Sequence, residues 1–314
     1  MRKACVIAVV ALLGLLFVQP ALAGYRETVL ASNPDAYWPF DEESGATGVD
    51  LVAGNDATHR APGEFGKKRV FKGTVTSGVA GAQFPGNDQF PDPGPVHGFA
   101  VRYEGIHNGS DSQYMLPTTS EVTFELSLKS TADRTRGIVG GRAGNGFNTG
   151  VSINFPSETE GIGGDGSVWL AVDNANEPSF GDINSSPDVG INDGEWHHIV
   201  TRWKGPSTEA APAGFDIFVD GVKLTDVGAR SGPPPQETFF ESPTYFGVNQ
   251  RSGTVPPLYK TLNIFDGDLD EISIYTRALS DAEVLAHWQA WIPEPATLAL
   301  LGGGGLLLLR RRRA

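Results

Sequence analysis

The sequence feature that most constrains the fold is a series of short segments in which apolar and polar residues alternate. From Val122 to Leu128 the apolar side chains fall at every second position, so that they lie on one face of an extended strand. Similar segments recur between turn signals, which the forty glycines and twenty-two prolines supply. The predicted strands are Val122–Leu128, Gly137–Gly140, Gly150–Phe155, Ser167–Val172, His197–Trp203, Phe215–Val219, Tyr245–Val248 and Leu269–Tyr275. The alternation indicates half-buried antiparallel strands and hence an all-β sandwich.

One helix is predicted after the last of these strands. Ser280 is placed to cap it, and Glu283 follows at the spacing of a capping box. The helix is predicted from Asp281 to about Trp288, with a buried face made of Val284, Leu285 and Trp288. No long helical period appears elsewhere, so residues 24–292 are predicted to form one β domain with one short C-terminal helix.

Residues 1–23 have the composition of a secretory signal peptide. Arg2 and Lys3 precede an apolar run that extends to Val18, and the small residues Ala21 and Ala23 indicate cleavage by signal peptidase after Ala23. The only cysteine of the chain lies in this segment. The mature protein is therefore predicted to be exported and to depend on its core rather than on disulfides.

Residues 293–314 form a tail with three parts. Pro293-Glu294-Pro295 is followed by an apolar run at 296–309 and then by Arg310, Arg311, Arg312 and Arg313. Fourteen residues make about 21 Å of helix, which is short beside the roughly 20 residues that usually cross a bilayer. The arginines would remain on the cytoplasmic side, which leaves the preceding domain on the other side and the tail as its link to the membrane.

This tail closely resembles the PEP-CTERM sorting signal of Gram-negative bacteria. The resemblance implies recognition by an exosortase and transfer of the processed protein to the cell envelope surface or the extracellular matrix. An ordinary C-terminal tail anchor is the alternative. Four adjacent glycines at 302–305 weaken a permanent anchor, because each glycine costs about 1 kcal/mol in a helix.

The charge of the chain excludes one class of partner. The chain has 24 basic and 37 acidic residues, and the two end segments contain six of the basic and one of the acidic residues. Residues 24–292 therefore carry 18 basic and 36 acidic side chains, a net charge of −18. Such a surface repels nucleic acid and anionic lipid and attracts divalent cations.

Three motifs in the same order resemble the laminin-G-like, concanavalin A-like jelly rolls of bacterial surface proteins. They are 36–45 (AYWPFDEESG), 194–200 (GEWHHIV) with the strand and turn at 215–222 (FDIFVDGV), and 265–275 (FDGDLDEISIY). The resemblance covers most of residues 30–290 and implies an antiparallel jelly-roll β-sandwich. It departs from the family pattern at 130–195 and 225–260, where longer loops would determine any ligand preference.

Two groups of polar residues suggest chemistry that the pattern does not support. His197 and His198 are neighbours on a predicted strand, so their side chains point to opposite faces and cannot share one ligand. Asp268 and Asp270 share a face, as in some jelly-roll glycosidases, but the third position on that face is Ile272. No pair of carboxylates is spaced for retaining hydrolysis, so the chain is not expected to be an enzyme.

The resemblance also implies a structural calcium ion between the first and the last strand. Asp41 or Asp50, near the first strand, and Asp270, on the last strand, are the candidate ligands, because calcium prefers carboxylate and carbonyl oxygens. The alternative is that Asp41 lies in a turn and that Asp270 and Glu271 only cap a strand edge.

Aromatic side chains are a second route to a ligand, since sugar rings stack on them. Trp38 and Trp196 are predicted to be buried, whereas five others are undetermined: Trp169, Trp203, Phe239, Phe240 and Tyr245. The sequence therefore predicts an exported, non-enzymatic β-sandwich that binds extracellular polysaccharide or a surface protein. A structural matrix protein and a divergent polysaccharide hydrolase are the alternatives.

Overall fold

A computed structural model describes most of the region between the two end segments. The described residues are 24–42, 47–59, 101–104, 110–131, 136–142, 148–153, 166–173, 182–205, 214–224, 228–230, 236–247, 249–251, 260–262 and 265–292. The predicted signal peptide with its cleavage site, and the predicted sorting tail, lie outside the described residues. Neither of the helices within these ranges has the length and apolarity needed to span a bilayer.

The described residues form two helices and eighteen strands. The helices are α1 (Tyr25–Ala31) and α2 (Asp281–Trp291). The strands are β1 (Ala36–Trp38), β2 (Thr47–Gly48), β3 (Ala57–His59), β4 (Val101–Glu104), β5 (Ser110–Asp111), β6 (Val122–Ser130), β7 (Arg136–Arg142), β8 (Asn148–Ile153), β9 (Val168–Val172), β10 (Asp182–Ser185), β11 (Trp196–Trp203), β12 (Phe215–Val219), β13 (Val222–Lys223), β14 (Gly228–Arg230), β15 (Tyr245–Phe246), β16 (Asn249–Arg251), β17 (Lys260–Leu262) and β18 (Asp266–Tyr275).

The strands build two large antiparallel sheets and a small hairpin. The first sheet has seven strands in the order β1-β18-β6-β11-β12-β13, with β4 paired to β18. The second has nine strands in the order β14-β10-β9-β8-β7-β15-β5-β3-β2, and β16 pairs with β17. All eight strands predicted from alternation are present, apart from their ends, and the prediction of an antiparallel β-sandwich is confirmed.

The main core lies between the two sheets, where the apolar side of each strand faces the other sheet. From β6 it receives Val122, Phe124, Leu126 and Leu128, and from β9 it receives Val168, Leu170 and Val172. These side chains are all buried. Burying each of them stabilises the fold by about 1.5–3 kcal/mol relative to exposure, so the alternation read from the sequence accounts for the sandwich.

The prediction that β6 is half-buried is wrong. Thr123, Glu125 and Ser127, on the side of the strand away from the main core, are all 0 % exposed. They are covered because α1 and α2 pack on the outer face of the seven-stranded sheet, forming two further apolar clusters. We call this outer face, with its two helices, the covered face.

Helix α1 was not predicted, and α2 differs from its prediction. Helix α1 has only seven residues and no side-chain cap, so its short apolar pair Tyr25 and Val29 is a weak signal. The capping box of α2 is confirmed, but the helix continues to Trp291. Its buried residues are Val284, His287 and Trp291, whereas Leu285 is 46 % exposed. The predicted buried face was therefore rotated.

A bulge changes the alternation of β18. The register against β6 shifts between Asp270 and Ser273, and Glu271 has a positive φ of 53°. Leu269 and Ile272 consequently join the main core, while Asp270 and Ser273 pair with Ser127 and Glu125 on the covered face. The assignment of Ile272 to the same face as Asp270 was wrong, because that assignment assumed an unbroken period of two.

Candidate functional site

Glu125 is the centre of a buried polar cluster on the covered face. Its Oε1 accepts hydrogen bonds from Tyr25 Oη at 2.9 Å and from His198 Nε2 at 2.8 Å. His287 Nδ1 lies 3.0 Å from Oε1 and 2.9 Å from Oε2. The hydroxyls of Ser273 and Tyr275 reach Oε2 at 3.3 and 3.2 Å. One carboxylate thus joins α1, α2, β11 and β18.

His287 also connects the two helices directly. Its Nε2 lies 2.8 Å from Ser32 Oγ, just after α1, and that hydroxyl donates to the Thr28 carbonyl at 3.4 Å. Ser32 Oγ can therefore accept a hydrogen bond from Nε2–H, while Nδ1–H donates to Glu125. Both ring nitrogens of His287 have acceptors, which suits the charged imidazolium.

The second histidine of the cluster is placed differently. His198 donates to Glu125 from Nε2, but its Nδ1 is buried and has no hydrogen-bond partner among the described residues. A proton on Nδ1 would be a buried donor without an acceptor, which is costly. The geometry therefore places the proton of His198 on Nε2, whereas His287, with an acceptor at each ring nitrogen, is the histidine better placed to pair with Glu125 as an imidazolium.

The pKa values of this pair shift in opposite directions. Burial alone would raise the pKa of Glu125, but the charge of His287 and the hydrogen bonds from His198 and His287 hold it well below its ordinary value. Burial acts to lower the pKa of His287, but the charge and the hydrogen bond of Glu125 raise it above its ordinary value. Each group favours the charged form of the other.

His197 belongs to a separate surface arrangement. Its Nδ1 lies 2.8 Å from Asp220 Oδ2 and its Nε2 lies 3.2 Å from Asp193 Oδ1. His197 pairs with Leu128 and His198 with Ser127 across the strands, so the prediction that the two histidines face opposite sides is confirmed. His197 holds a hairpin turn in which Asp220 and Gly221 both have positive φ.

Three acidic residues of β18 are buried rather than exposed in a cleft. Asp268, Asp270 and Glu271 are 8, 1 and 0 % exposed. Tyr37 Oη donates a hydrogen bond to Glu271, and Asp270 Oδ1 accepts from the Glu271 backbone N–H at 3.0 Å. Burial and the neighbouring charge of Glu271 raise the pKa of Asp270 well above its ordinary value. No route for a sugar chain to these carboxylates is apparent among the described residues, because the side chains are buried.

The predicted calcium ligands have separate roles in the described structure. Asp41 pairs with Arg26 of α1. Asp50 is buried, and its two oxygens accept backbone hydrogen bonds from Tyr37, Val52, Ala53 and Asn55 at 3.0, 3.0, 3.3 and 3.1 Å. Four donors match the roughly four lone-pair sites of a carboxylate, so Asp50 is poorly suited to bind a metal as well.

No three described His, Cys, Asp or Glu side chains converge in a way that could hold one metal ion. Asp270 differs from Asp50 in its electrostatic surroundings. Burial and the charges of Glu271 and Glu42 raise its pKa, and the charge of Arg26 lowers it. The calcium ion at Asp41, Asp50 and Asp270 therefore stays a prediction.

Most of the aromatic candidates are buried. Trp203 and Phe240 belong to the main core at 0 and 2 % exposure, and Trp169 and Tyr245 are 8 and 5 % exposed. Phe239 is half-buried. Trp38 and Trp196 are buried as predicted. Among these aromatic candidates, Phe239 is therefore the one left partly accessible for a sugar ring to stack on.

The outer face of the nine-stranded sheet differs from the covered face. Strand pairing places Tyr245, Gly140, Gly150 and Ala171 in one row across four strands. Each glycine approaches the neighbouring strand closely: a Cβ on Gly140 would meet the Thr149 carbonyl oxygen at 2.6 Å. Gly140 and Gly150 are buried and Ala171 is half-buried, and the buried rings of Tyr245 and Trp169 lie on the same face.

Sequence reasoning missed the Glu125 cluster and the neighbours that complete it. In the sequence, His287 has no metal-ligand spacing to another histidine, and alternation places Glu125 on the polar side of a strand predicted to be half-buried. A charged residue at the centre of a nine-residue strand was the available signal. It could not identify the partners, because they come from residues 25, 198, 273, 275 and 287.

Comparison with known proteins identifies the domain type. The model of the family described as the concanavalin A-like lectin/glucanases superfamily matches residues 108–285. No curated protein is similar enough in sequence to count as a relative.

Several solved structures resemble the chain at low identity. Domain 4 of AbnA, an extracellular arabinanase from Geobacillus stearothermophilus solved with arabinotriose, is 15 % identical with a TM-score of 0.46; the match covers 82 % of this chain and 98 % of that chain. The binding domain of Paraclostridial Mosquitocidal Protein 1 is 13 % identical with a TM-score of 0.48; the match covers 82 % of this chain but 52 % of that chain. A heptameric SAP-like pentraxin from Limulus polyphemus is 17 % identical with a TM-score of 0.37, covering 55 % and 70 %. Values this low transfer no ligand or activity to this chain.

Proposed function

The chain belongs to the concanavalin A-like lectin/glucanases superfamily, and from this premise we propose that it is a binding module and not an enzyme. The burial of Asp268, Asp270 and Glu271 is the observation that supports binding over hydrolysis. A retaining hydrolase needs two carboxyl groups about 5 Å apart that flank the sugar bond, and these carboxylates are covered by protein.

We place the ligand surface on the outer face of the nine-stranded sheet and the loops around it. The covered face is occupied by α1 and α2, which leaves the opposite side of the sandwich for a partner. In the row of Gly140, Gly150 and Ala171 the half-buried Ala171 is the most accessible residue, and it marks where the proposed ligand would approach. The proposed ligands are extracellular polysaccharide or another surface protein.

The proposed location is the envelope surface or the extracellular matrix of a Gram-negative bacterium. The signal peptide at 1–23 and the sorting tail at 293–314 support this proposal, with signal peptidase and an exosortase as processing partners. Fractionation of cells with and without residues 293–314 tests it. Loss of surface protein on truncation is expected, and an unchanged distribution would rule out sorting by the tail.

Binding is tested with purified protein on an array of bacterial and algal polysaccharides. Saturable binding to one glycan class is expected, and Ala171→Arg should abolish it by blocking the proposed surface. Val222→Arg is the matched control, because Val222 is 62 % exposed on the edge strand β13 of the other sheet. Silence across the array would leave a structural matrix role, and release of reducing ends would establish a hydrolase.

Calcium is a separate proposal, and the binding proposal does not depend on it. Extracellular modules bind calcium with dissociation constants of about 10⁻⁴–10⁻³ M, so equilibrium dialysis at millimolar calcium is the appropriate measurement. A bound ion that is lost in Asp270→Asn would place the site at β18. No bound calcium at that concentration would remove it.

A further inference from the structure

We propose that the Glu125–His287 ion pair is a pH-sensitive latch that keeps α1 and α2 docked on the seven-stranded sheet and releases them as the pH rises. The proposal concerns how the ends of the domain are held and is independent of any ligand. It rests on the convergence of both helices on one buried carboxylate.

The first step is that, among the described residues, the charge of Glu125 is balanced by histidine alone. Among the described residues, its hydrogen-bond partners are hydroxyls and two imidazoles, and none is Lys or Arg. Histidine is the side chain whose charge changes between about pH 5 and 8. If His287 loses its proton, the carboxylate keeps its charge in a site that is 0 % exposed.

The second step is that the pair is also the junction between the helices. His287 links Glu125 to Ser32 at the end of α1, and Tyr25 at the start of α1 donates to the same carboxylate. An uncompensated buried charge is strongly destabilising. Rehydrating Glu125 removes this cost, and it requires the helices to move, because they cover the carboxylate.

The direction of the pH effect follows from the shifts. The pKa of His287 is raised in the folded protein, so its contribution is fully present below about pH 6.5, its unfolded value, and is lost as the pH rises through the folded pKa. The pKa of Glu125 is lowered, so its contribution is present above about pH 4.3, its unfolded value, and is lost only as the pH falls through the folded pKa. The latch therefore opens on the alkaline side.

Other titratable or charged groups face this pair from the surrounding elements. They are Tyr25 of α1, Tyr37 of β1, His198 of β11, Glu271, Tyr275 and Arg277 of β18 and the turn after it, and Glu283 of α2. Burial raises the pKa of Tyr25, Tyr37 and Tyr275 well above the ordinary value. Arg277 and Glu283 pair at 2.7 Å, and the pKa of Glu283 is held at about 2, so neither changes charge between pH 6 and 9.

Opening would change the reach of the C-terminal segment. Helix α2 spans 11 residues, which measure about 16 Å as a helix and up to about 36 Å when extended. It ends two residues before Pro293. If the proposed sorting holds, release of α2 lengthens the tether between the sandwich and the tail.

The test is hydrogen–deuterium exchange of the full-length protein from pH 6 to 9, corrected for intrinsic exchange. The opening constant of α1 and α2 is expected to rise about tenfold for each unit by which the folded pKa of His287 exceeds that of the released residue, while the amides of β6 stay protected. His287→Gln should exchange faster at pH 6 and show no rise. His197→Gln is the matched control and should retain the rise, although its wild-type pKa is also raised by Asp220 and Asp193 against the effect of burial.

Three results would overturn the latch: a flat wild-type profile, a rise that persists in His287→Gln, or an equal rise in β6. A second measurement is needed if His287→Gln does not fold. The imidazole NMR signals of the wild-type protein should then show His287 titrating above about pH 6.5, the value for an unperturbed histidine. A His287 that titrates below this value would also overturn the proposal. Neither measurement depends on ligand binding or sorting.

Discussion

The two outer faces of the sandwich enclose the same core but are built from different residues. The covered face buries Glu125, Asp270, Glu271 and Arg202 beneath two helices. The outer face of the nine-stranded sheet has small residues and two aromatic rings instead: Gly140, Gly150, Ser152, Ala171, Trp169 and Tyr245. The difference indicates that buried charges hold the helices on one face, whereas the other face is built without charged residues at these positions.

The largest expected effect is at Arg202 on the covered face. Arg202 Nε donates to Asp216 at 2.7 Å, and the guanidinium also contacts Leu279 and Asp281 at the start of α2. Arg202→Ala should lower the free energy of unfolding by about 3 kcal/mol, near the lower end for a broken buried pair, because two lysines still face Asp216. Urea unfolding measures this change in the free energy of unfolding. Lys204→Ala removes a side chain that is 40 % exposed and should cost less than about 1 kcal/mol. Equal losses of stability in the two variants would mean that the buried charge of Arg202 does not hold α2 on the sheet.

Gly221 tests how closely α2 packs on the sheet. A Cβ at Gly221 would lie 2.2 Å from the Trp288 ring, and its φ is 73°. Gly221→Ala should cost about 2 kcal/mol, about 1 kcal/mol for overpacking against a half-buried ring that can shift and about 1 kcal/mol for the backbone. Gly190 has the same φ with nothing within 4 Å, so Gly190→Ala should show only the backbone cost. Thermal unfolding measures the stability of both variants. Identical losses of stability would mean that the Trp288 ring does not pack against the turn at Gly221.

A pair of serines compares the two faces directly. Ser127 Oγ on the covered face accepts a hydrogen bond from Trp291 Nε1 at 2.7 Å. Ser127→Ala should cost about 1–2 kcal/mol, because Trp291 loses this acceptor in a buried site. Ser152 on the other face is also buried, at 5 % exposure, but does not take part in the helix packing, so Ser152→Ala should lower the free energy of unfolding by less than about 1 kcal/mol. If Ser152→Ala costs as much, the second face is also a structural layer.

The smallest expected effect is the acid dependence of the α2 cap. Arg277 lowers the pKa of Glu283 to about 2, against the effect of burial, with help from Ser280. Its contribution is present above about pH 4.3, its unfolded value, and is lost as the pH falls toward 2. Glu283→Gln should abolish this loss of stability at low pH, and it should lower the free energy of unfolding by less than about 1 kcal/mol at neutral pH. The free energy of unfolding measured from pH 2 to 6 checks the prediction. An unchanged pH dependence would show that the capping box contributes little.

The sequence predicted the sandwich because its core obeys a period of two that neighbouring residues display. Each of the strands Val122–Ser130 and Trp196–Trp203 contributes one apolar side to the core. The covered face was missed for the same reason. Alternation identifies which side of β6 is polar but not what packs on it, and the residues that do so lie 100 and 162 positions away.

The face predicted for Ile272 was wrong because one residue changed the local period. The positive φ of Glu271 and the bulge around it moved Ile272 to the core, which no count of alternate positions would show. The capping box of α2 was predicted correctly because Ser280 and Glu283 are three residues apart and act locally. Local hydrogen bonding was readable from the sequence, and long-range burial was not.

Tyr25 and Trp291 belong to one apolar cluster, so the two ends of the described domain meet. A domain whose ends are adjacent can be circularly permuted or inserted into a loop of another protein with little strain. Linking residues 24 and 292 and opening the chain elsewhere should preserve the sandwich. The same geometry makes this domain a candidate cassette for display of engineered loops between two fixed attachment points.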